Sequence, residues 1–210
     1  MTTFQAIILA IIEGITEFLP VSSTGHMILA SAVMKVQDAE FAKTFEIVIQ
    51  LGAIMAVAVL YIKRFFVSLT IYLKLIAAFI PTGVIGILAY KTIKAYLFNP
   101  FVVSIALIVG GIFSGFDRKL ATEFSFLLAI PTMLAASGKD LWESKDMIHS
   151  ENIKLLLIGG AVAFVFAIIA VKGFIAFVQK YGFKHFGYYR IILGILFLSL
   201  SLYLGINLTP

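Results

Sequence analysis

Residues 13–26 read Glu-Gly-Ile-Thr-Glu-Phe-Leu-Pro-Val-Ser-Ser-Thr-Gly-His, which puts two carboxylates, four hydroxyls and an imidazole inside otherwise apolar sequence. Ionisable groups in such surroundings are costly and mark function by default. Glu13 and Glu17 are four residues apart, so on a helix they share one face and can converge on one cation or one substrate group. Two carboxylates one turn apart suit a hard divalent cation such as Mg or Ca, which takes oxygen ligands and shares them with phosphates. Pro20 is expected to end that helix and let Ser22, Ser23, Thr24, Gly25 and His26 turn back toward the same point. The hydroxyls offer donors, Gly25 allows close backbone approach, and His26 can act as base, acid or nucleophile near neutral pH. The set suits phosphoryl chemistry, with either a serine activated by histidine or a histidine attacking directly. Ser22, Ser23 and Thr24 are also good helix caps, and each is as well suited to capping as to catalysis.

The rest of the chain must hold this motif in a lipid setting. Of its 210 residues, 61% are hydrophobic and 13% charged, and the mean hydropathy is +1.08. That leaves too little polar surface for a water-soluble globule, so the class is an all-α, polytopic integral membrane protein. The net charge of +5 lies in short clusters between apolar runs, which reads as topology and headgroup contact with membrane lipid rather than as a nucleic-acid surface. No cysteine is present, which excludes disulfides and thiolate metal sites. The first apolar run carries Glu13 and Glu17 and lacks a basic leader, so it is not expected to be a removable signal peptide.

Apolar segments fall at 4–19, 45–62, 73–90, 101–116, 120–137, 155–178 and 191–206, against about 20 residues for a spanning helix. The expectation is about six spans in a single transmembrane domain over residues 1–210. The short segments 4–19 and 101–116 are candidates for re-entrant elements. Lys35 to Glu46 reads as a short interfacial loop or helix of mixed charge, and Gln179 to Arg190 as a basic, aromatic loop. Trp142 is a candidate interface anchor, and Pro81 and Pro131 are candidate kinks. His149 and His185 lie in polar stretches and read as surface residues.

The block from Glu13 to His26 resembles the first signature of the bacterial undecaprenyl-diphosphate phosphatase, or bacitracin-resistance, family. Further stretches resemble it in the same order: Lys43-Thr-Phe-Glu-Ile-Val-Ile-Gln-Leu-Gly52, Lys91-Thr-Ile-Lys with Asn99-Pro100, Glu123-Phe-Ser-Phe-Leu-Leu-Ala-Ile-Pro131, and Tyr189-Arg190. The resemblance implies a multi-pass enzyme of the bacterial inner membrane that removes the terminal phosphate of a polyprenyl diphosphate, recycling the lipid carrier of cell-wall synthesis. It implies an inverted-repeat fold with re-entrant helix pairs, and a homodimer is compatible with it. By position, Glu13 and Glu17 would serve metal or water activation, Ser23 would be nucleophile or phosphate ligand, and His26 nucleophile or proton-transfer group. Ser22, Thr24 and Gly25 would bind substrate.

The sequence departs from that pattern at one point. The family's second signature, Pro-Gly-x-Ser-Arg-Ser-Gly, is absent from the 210 residues, which leaves the second repeat incomplete. The chain closes up around Gly110-Gly111, so an internal deletion or gap is expected near 110–115. Loss of the arginine clamp keeps two other classes open: a transporter or lipid-flipping protein, and a catalytically impaired lipid binder.

Overall fold

The structure, a computed structural model, describes residues 1–36, 40–65, 118–145 and 148–204. The apolar segments 73–90 and 101–116, Pro81, the Lys91–Pro100 stretch and the Gly110-Gly111 junction lie outside the described residues. Those described are helical and contain no strand. Seven helices follow in chain order: α1 (Thr3–Thr16), α2 (Ser23–Val33), α3 (Glu40–Leu60), α4 (Ile62–Phe65), α5 (Arg118–Glu143), α6 (Ser150–Tyr181) and α7 (Lys184–Leu204).

The ends of α1 follow from its sequence. Thr2 and Gln5 form a capping box, in which Thr2 Oγ1 accepts the Gln5 N–H and Gln5 Oε1 accepts the Thr2 N–H at 2.8 Å, satisfying donors that the first turn leaves without helical partners. The Gln5 amide then donates to the Met34 carbonyl at 3.2 Å, so the start of α1 holds the end of α2. The helix stops at Thr16 with Glu17 as C-cap, three residues ahead of Pro20. Because Glu17 keeps helical φ and ψ and its N–H still bonds Glu13 O at 2.9 Å, the shared face of the two glutamates survives the end of the helix.

α6 is the central element, packed against both α1 and α3, while α5 covers the other side of α3. The approach is close because small residues meet there, the device by which helices associate without a hydrophobic difference from their solvent. A Cβ on Gly52 of α3 would lie 2.3 Å from the Gly160 carbonyl oxygen of α6, and one on Gly14 of α1 would lie 2.5 Å from that of Ala163. Two apolar clusters fill the remaining space. Leu9, Met27, Phe45, Ile49 and Ala163 join α1, α2, α3 and α6. Phe18, Val57, Phe126, Val171 and Phe174 join the turn after α1 to α3, α5 and α6.

Among the described residues two helices, Phe41–Leu60 and Asn152–Tyr181, are long and apolar enough to cross a membrane, and α1 is a shorter apolar helix. They correspond to the apolar segments 45–62 and 155–178. The outer faces of α6 and α7 expose Leu157, Ile169, Ile192 and Ile195, each more than 60% accessible. α3 begins at Glu40, so Lys43 and Glu46 belong to a helix, one of the two forms expected for Lys35 to Glu46. One connection differs from the sequence expectation. Gln179 to Arg190 is a tight corner: α6 runs to Tyr181, Gly182 turns the chain at φ 73°, and α7 starts at Lys184. Gly182 takes the left-handed conformation that disfavours residues with a Cβ. Pro131 lies within α5, which continues on both sides of it. Trp142 is 73% exposed, with Lys145 Nζ 5.1 Å from its ring centroid.

Candidate active site

The turn between α1 and α2 brings a carboxylate to a helix start. Ser23 Oγ donates to Glu17 Oε2 at 2.5 Å. Glu17 sits at the C-terminal end of α1, where the helix dipole disfavours an anion. The first turn of α2 faces it and offsets that effect with the Ser23 hydroxyl and the positive end of its own dipole. Each hydroxyl has a distinct role. Ser22 is the N-cap, its Oγ accepting the Gly25 N–H at 3.3 Å. Ser23 is engaged with Glu17, and Thr24 is exposed to the cleft. Ser22 adopts φ 67°, a left-handed conformation that costs a non-glycine residue about 1–3 kcal/mol and collects at functional sites.

Glu17 is held from a second side. Gln50 Nε2 donates to Glu17 Oε1 at a long 3.5 Å, and Ser137 Oγ donates to Gln50 Oε1 at 2.9 Å. Ser137 is 1% exposed. Its hydroxyl takes the oxygen end of the Gln50 amide and so turns the NH2 end toward the carboxylate. The chain Ser137–Gln50–Glu17–Ser23 thus links α5, α3, the end of α1 and the start of α2.

A cleft of about 270 Å³ adjoins this chain, lined by Glu13, Ser23, Thr24, Lys43, Glu46 and Gln50 with Met27, Ile28 and Ile47. Glu13 is buried and faces the cleft together with Glu46. Ser31 Oγ donates to Glu46 Oε1 at 3.4 Å. Lys43, Glu46 and Gln50 occupy positions i, i+3 and i+7 of α3, one stripe of that helix. These three residues and Ser137 were not among the sequence candidates. A polar stripe in an apolar helix was the available signal for α3, whereas Ser137 carries none.

His26 is turned elsewhere. Its Nδ1 lies 2.8 Å from Ser22 O and its Nε2 lies 2.7 Å from the Tyr189 hydroxyl on α7. It does not line the cleft. Glu13, Glu17 and Ser23 therefore come together, while His26, expected at the same point, is engaged with Ser22 O and Tyr189 instead. Gly25 supplies the capped N–H and has only Ser22 side-chain atoms near its missing Cβ. Among the described residues no group of three His, Cys, Asp or Glu side chains is arranged to hold a metal ion. The carboxylates of Glu13 and Glu17 remain a fitting donor pair for Mg, which takes one or two protein carboxylates and completes its shell from water and phosphate.

Comparison with known proteins adds what geometry alone does not. The family described as "Bacitracin resistance protein BacA" matches residues 6–114 and 108–196. The chain belongs to this family. A protein of Wolinella succinogenes named undecaprenyl-diphosphatase is 44% identical over 251 aligned positions, spanning 94% of this chain and 98% of the relative. Proteins of the same name from Flavobacterium psychrophilum and Bdellovibrio bacteriovorus are 44% and 43% identical, over 97% and 99% of this chain. The first of the two matched stretches, residues 6–114, includes the α1–α2 turn where Ser23 meets Glu17.

Proposed function

We propose that the chain is a membrane phosphatase that removes the terminal phosphate of a polyprenyl diphosphate and returns the monophosphate carrier to cell-wall synthesis. The observation that carries the reading is the Ser23 Oγ–Glu17 Oε2 hydrogen bond at the mouth of a carboxylate-lined cleft. The name shared by the relatives supplies the substrate class.

Glu17 takes the Ser23 proton as Oγ approaches the terminal phosphorus. The new Oγ–P bond forms as the bridging P–O bond breaks, and polyprenyl monophosphate leaves. Water, deprotonated by a carboxylate, then cleaves the phosphoserine, releasing inorganic phosphate and restoring the serine. Ser23 acting as a ligand while water attacks directly uses the same base. Thr24 and the N–H groups of the first turn of α2 stabilise charge on the phosphoryl oxygens. A divalent cation held by Glu13 and Glu17 would neutralise those oxygens further. In this geometry Glu17, and not His26, is the base on Ser23.

The same reading makes the protein a multi-pass component of the bacterial inner membrane, with about six spans and two inverted halves. The long apolar helices α3 and α6 and the apolar outer faces of α6 and α7 support that setting. We further propose that a block carrying the second signature is missing near residues 110–115. In the alignment with the Wolinella protein, 94% of 210 residues is about 197, so about 54 of the 251 columns hold no residue of this chain. The two family matches meet over 108–114, which supports the same point. Without a bidentate arginine, charge stabilisation falls, and a chain continuous there is expected to turn over about a hundredfold slower or less than a complete relative.

Release of inorganic phosphate from undecaprenyl diphosphate by the purified, detergent-solubilised chain tests the proposal. Phosphate release abolished by Ser23→Ala supports it. Lipid movement in sealed vesicles without phosphate release would replace it with a flipping function, and binding alone with a carrier role.

A further inference from the structure

His26 is held at both ring nitrogens. Ser22 O can only accept, so the contact at 2.8 Å requires the proton on Nδ1. In the neutral ring Nε2 is then an acceptor, and the Tyr189 hydroxyl at 2.7 Å is its donor. The orientation fits that role. The imidazole and phenol planes are parallel to within 2°, with centroids 5.7 Å apart, and the two rings meet through Nε2 and the hydroxyl. Tyr189 reaches this position from the second turn of α7, 163 residues away in sequence.

We propose that Tyr189 is a positioning residue for His26: its hydroxyl fixes the imidazole as the Nδ1–H tautomer with the Nε2 lone pair committed. Three consequences follow. Nε2 is not free to take the proton of Ser23, which agrees with the bond from Ser23 to Glu17. The ring stays oriented until a proton or another donor takes the Nε2 lone pair from the tyrosine. The position of α7 is tied to the α1–α2 turn, so movement of that helix releases the ring. The assignment rests on reading His26 as part of the phosphatase site.

The test reads the hydrogen bond itself, whether or not the chain releases phosphate. Diethyl pyrocarbonate acylates the unprotonated nitrogen of neutral imidazole, and peptide mapping separates His26 from His149 and His185. In the full chain in detergent, at a pH where histidine is neutral, Tyr189→Phe should speed acylation of His26 about three- to tenfold, the ratio set by one net hydrogen bond, with the His149 rate unchanged. Tyr188→Phe, at the exposed neighbouring position, should leave the His26 rate as in the wild type. Equal His26 rates in wild type and Tyr189→Phe overturn the proposal. Nitrogen-15 NMR of the unmutated chain tests it again without a variant: the proton on Nδ1 supports it, and the proton on Nε2 overturns it. Loss of phosphate release with the labelling contrast intact would fault the phosphatase reading and leave the Tyr189 assignment standing.

Discussion

Ser23 and Glu17 are joined by a 2.5 Å hydrogen bond across the turn from α1 to α2, so a hydroxyl that lines the cleft already points its proton at a carboxylate. Glu17→Gln keeps the shape and removes the acceptor charge. Phosphate release should fall by about 10²–10⁴, the range for a positioned general base, while Ser23→Ala should fall at least as far. Retained activity in Glu17→Gln would reassign the base. Phosphate release measured alongside thermal melting separates chemistry from folding.

The Ser137–Gln50 bond predicts an effect at a distance. Ser137→Ala leaves the part-buried Gln50 oxygen without its donor, at a cost of about 1–3 kcal/mol, and frees the amide to turn its oxygen toward Glu17. Activity should drop in Ser137→Ala, yet the same change should cost much less in a Glu17→Gln background, because the two act through one bond chain. Additive losses would break the link.

Glu13 and Glu17 lie together in a poorly solvated setting, where two adjacent negative charges require a cation or a shared proton. Mg or Ca should therefore raise the melting temperature of the wild type. At about a hundredfold above its Kd a cation adds about 2.7 kcal/mol. Glu17→Gln should lose that response. Equal shifts in both proteins would leave the pair as proton-sharing groups with no metal.

Close packing predicts a contrast among glycines. Gly52→Ala forces a methyl against the Gly160 carbonyl oxygen, 2.3 Å away, and should destabilise by about 1–3 kcal/mol. Gly138→Ala meets nothing within 4 Å and should be neutral or stabilising by up to about 1 kcal/mol, as expected from helix propensity. Thermal melts of the two variants check the pair.

What the sequence made legible follows from where information is local. Glu13, Glu17 and Ser23 stand out because carboxylates in an apolar run have no cheap structural role, and their spacing fixes a common face. Lys43 and Glu46 lie in the mixed-charge stretch Lys35–Glu46, which suits a loop or a helix, so the stripe they share with Gln50 is hidden until α3 is seen to start at Glu40. Ser137 and Tyr189 lie 87 and 163 residues from the side chains they bond. Only tertiary packing brings them there, so no periodicity within a segment could point to them. Pro20 marked the end of α1 correctly in kind but three residues late, since the chain leaves the helix before the residue preceding proline.

The 32 residues of α6 measure about 48 Å along the axis at 1.5 Å per residue, against a hydrocarbon core about 30 Å thick. Such a mismatch is relieved by tilting or by reaching beyond the hydrocarbon layer. Because Gly14 and Gly52 seat α1 and α3 directly on α6, a tilt of that helix carries both of them and the cleft between them. On the proposed function, bilayer thickness then sets the depth of the cleft in the membrane, and with it how far a lipid diphosphate would leave its own plane to reach Ser23.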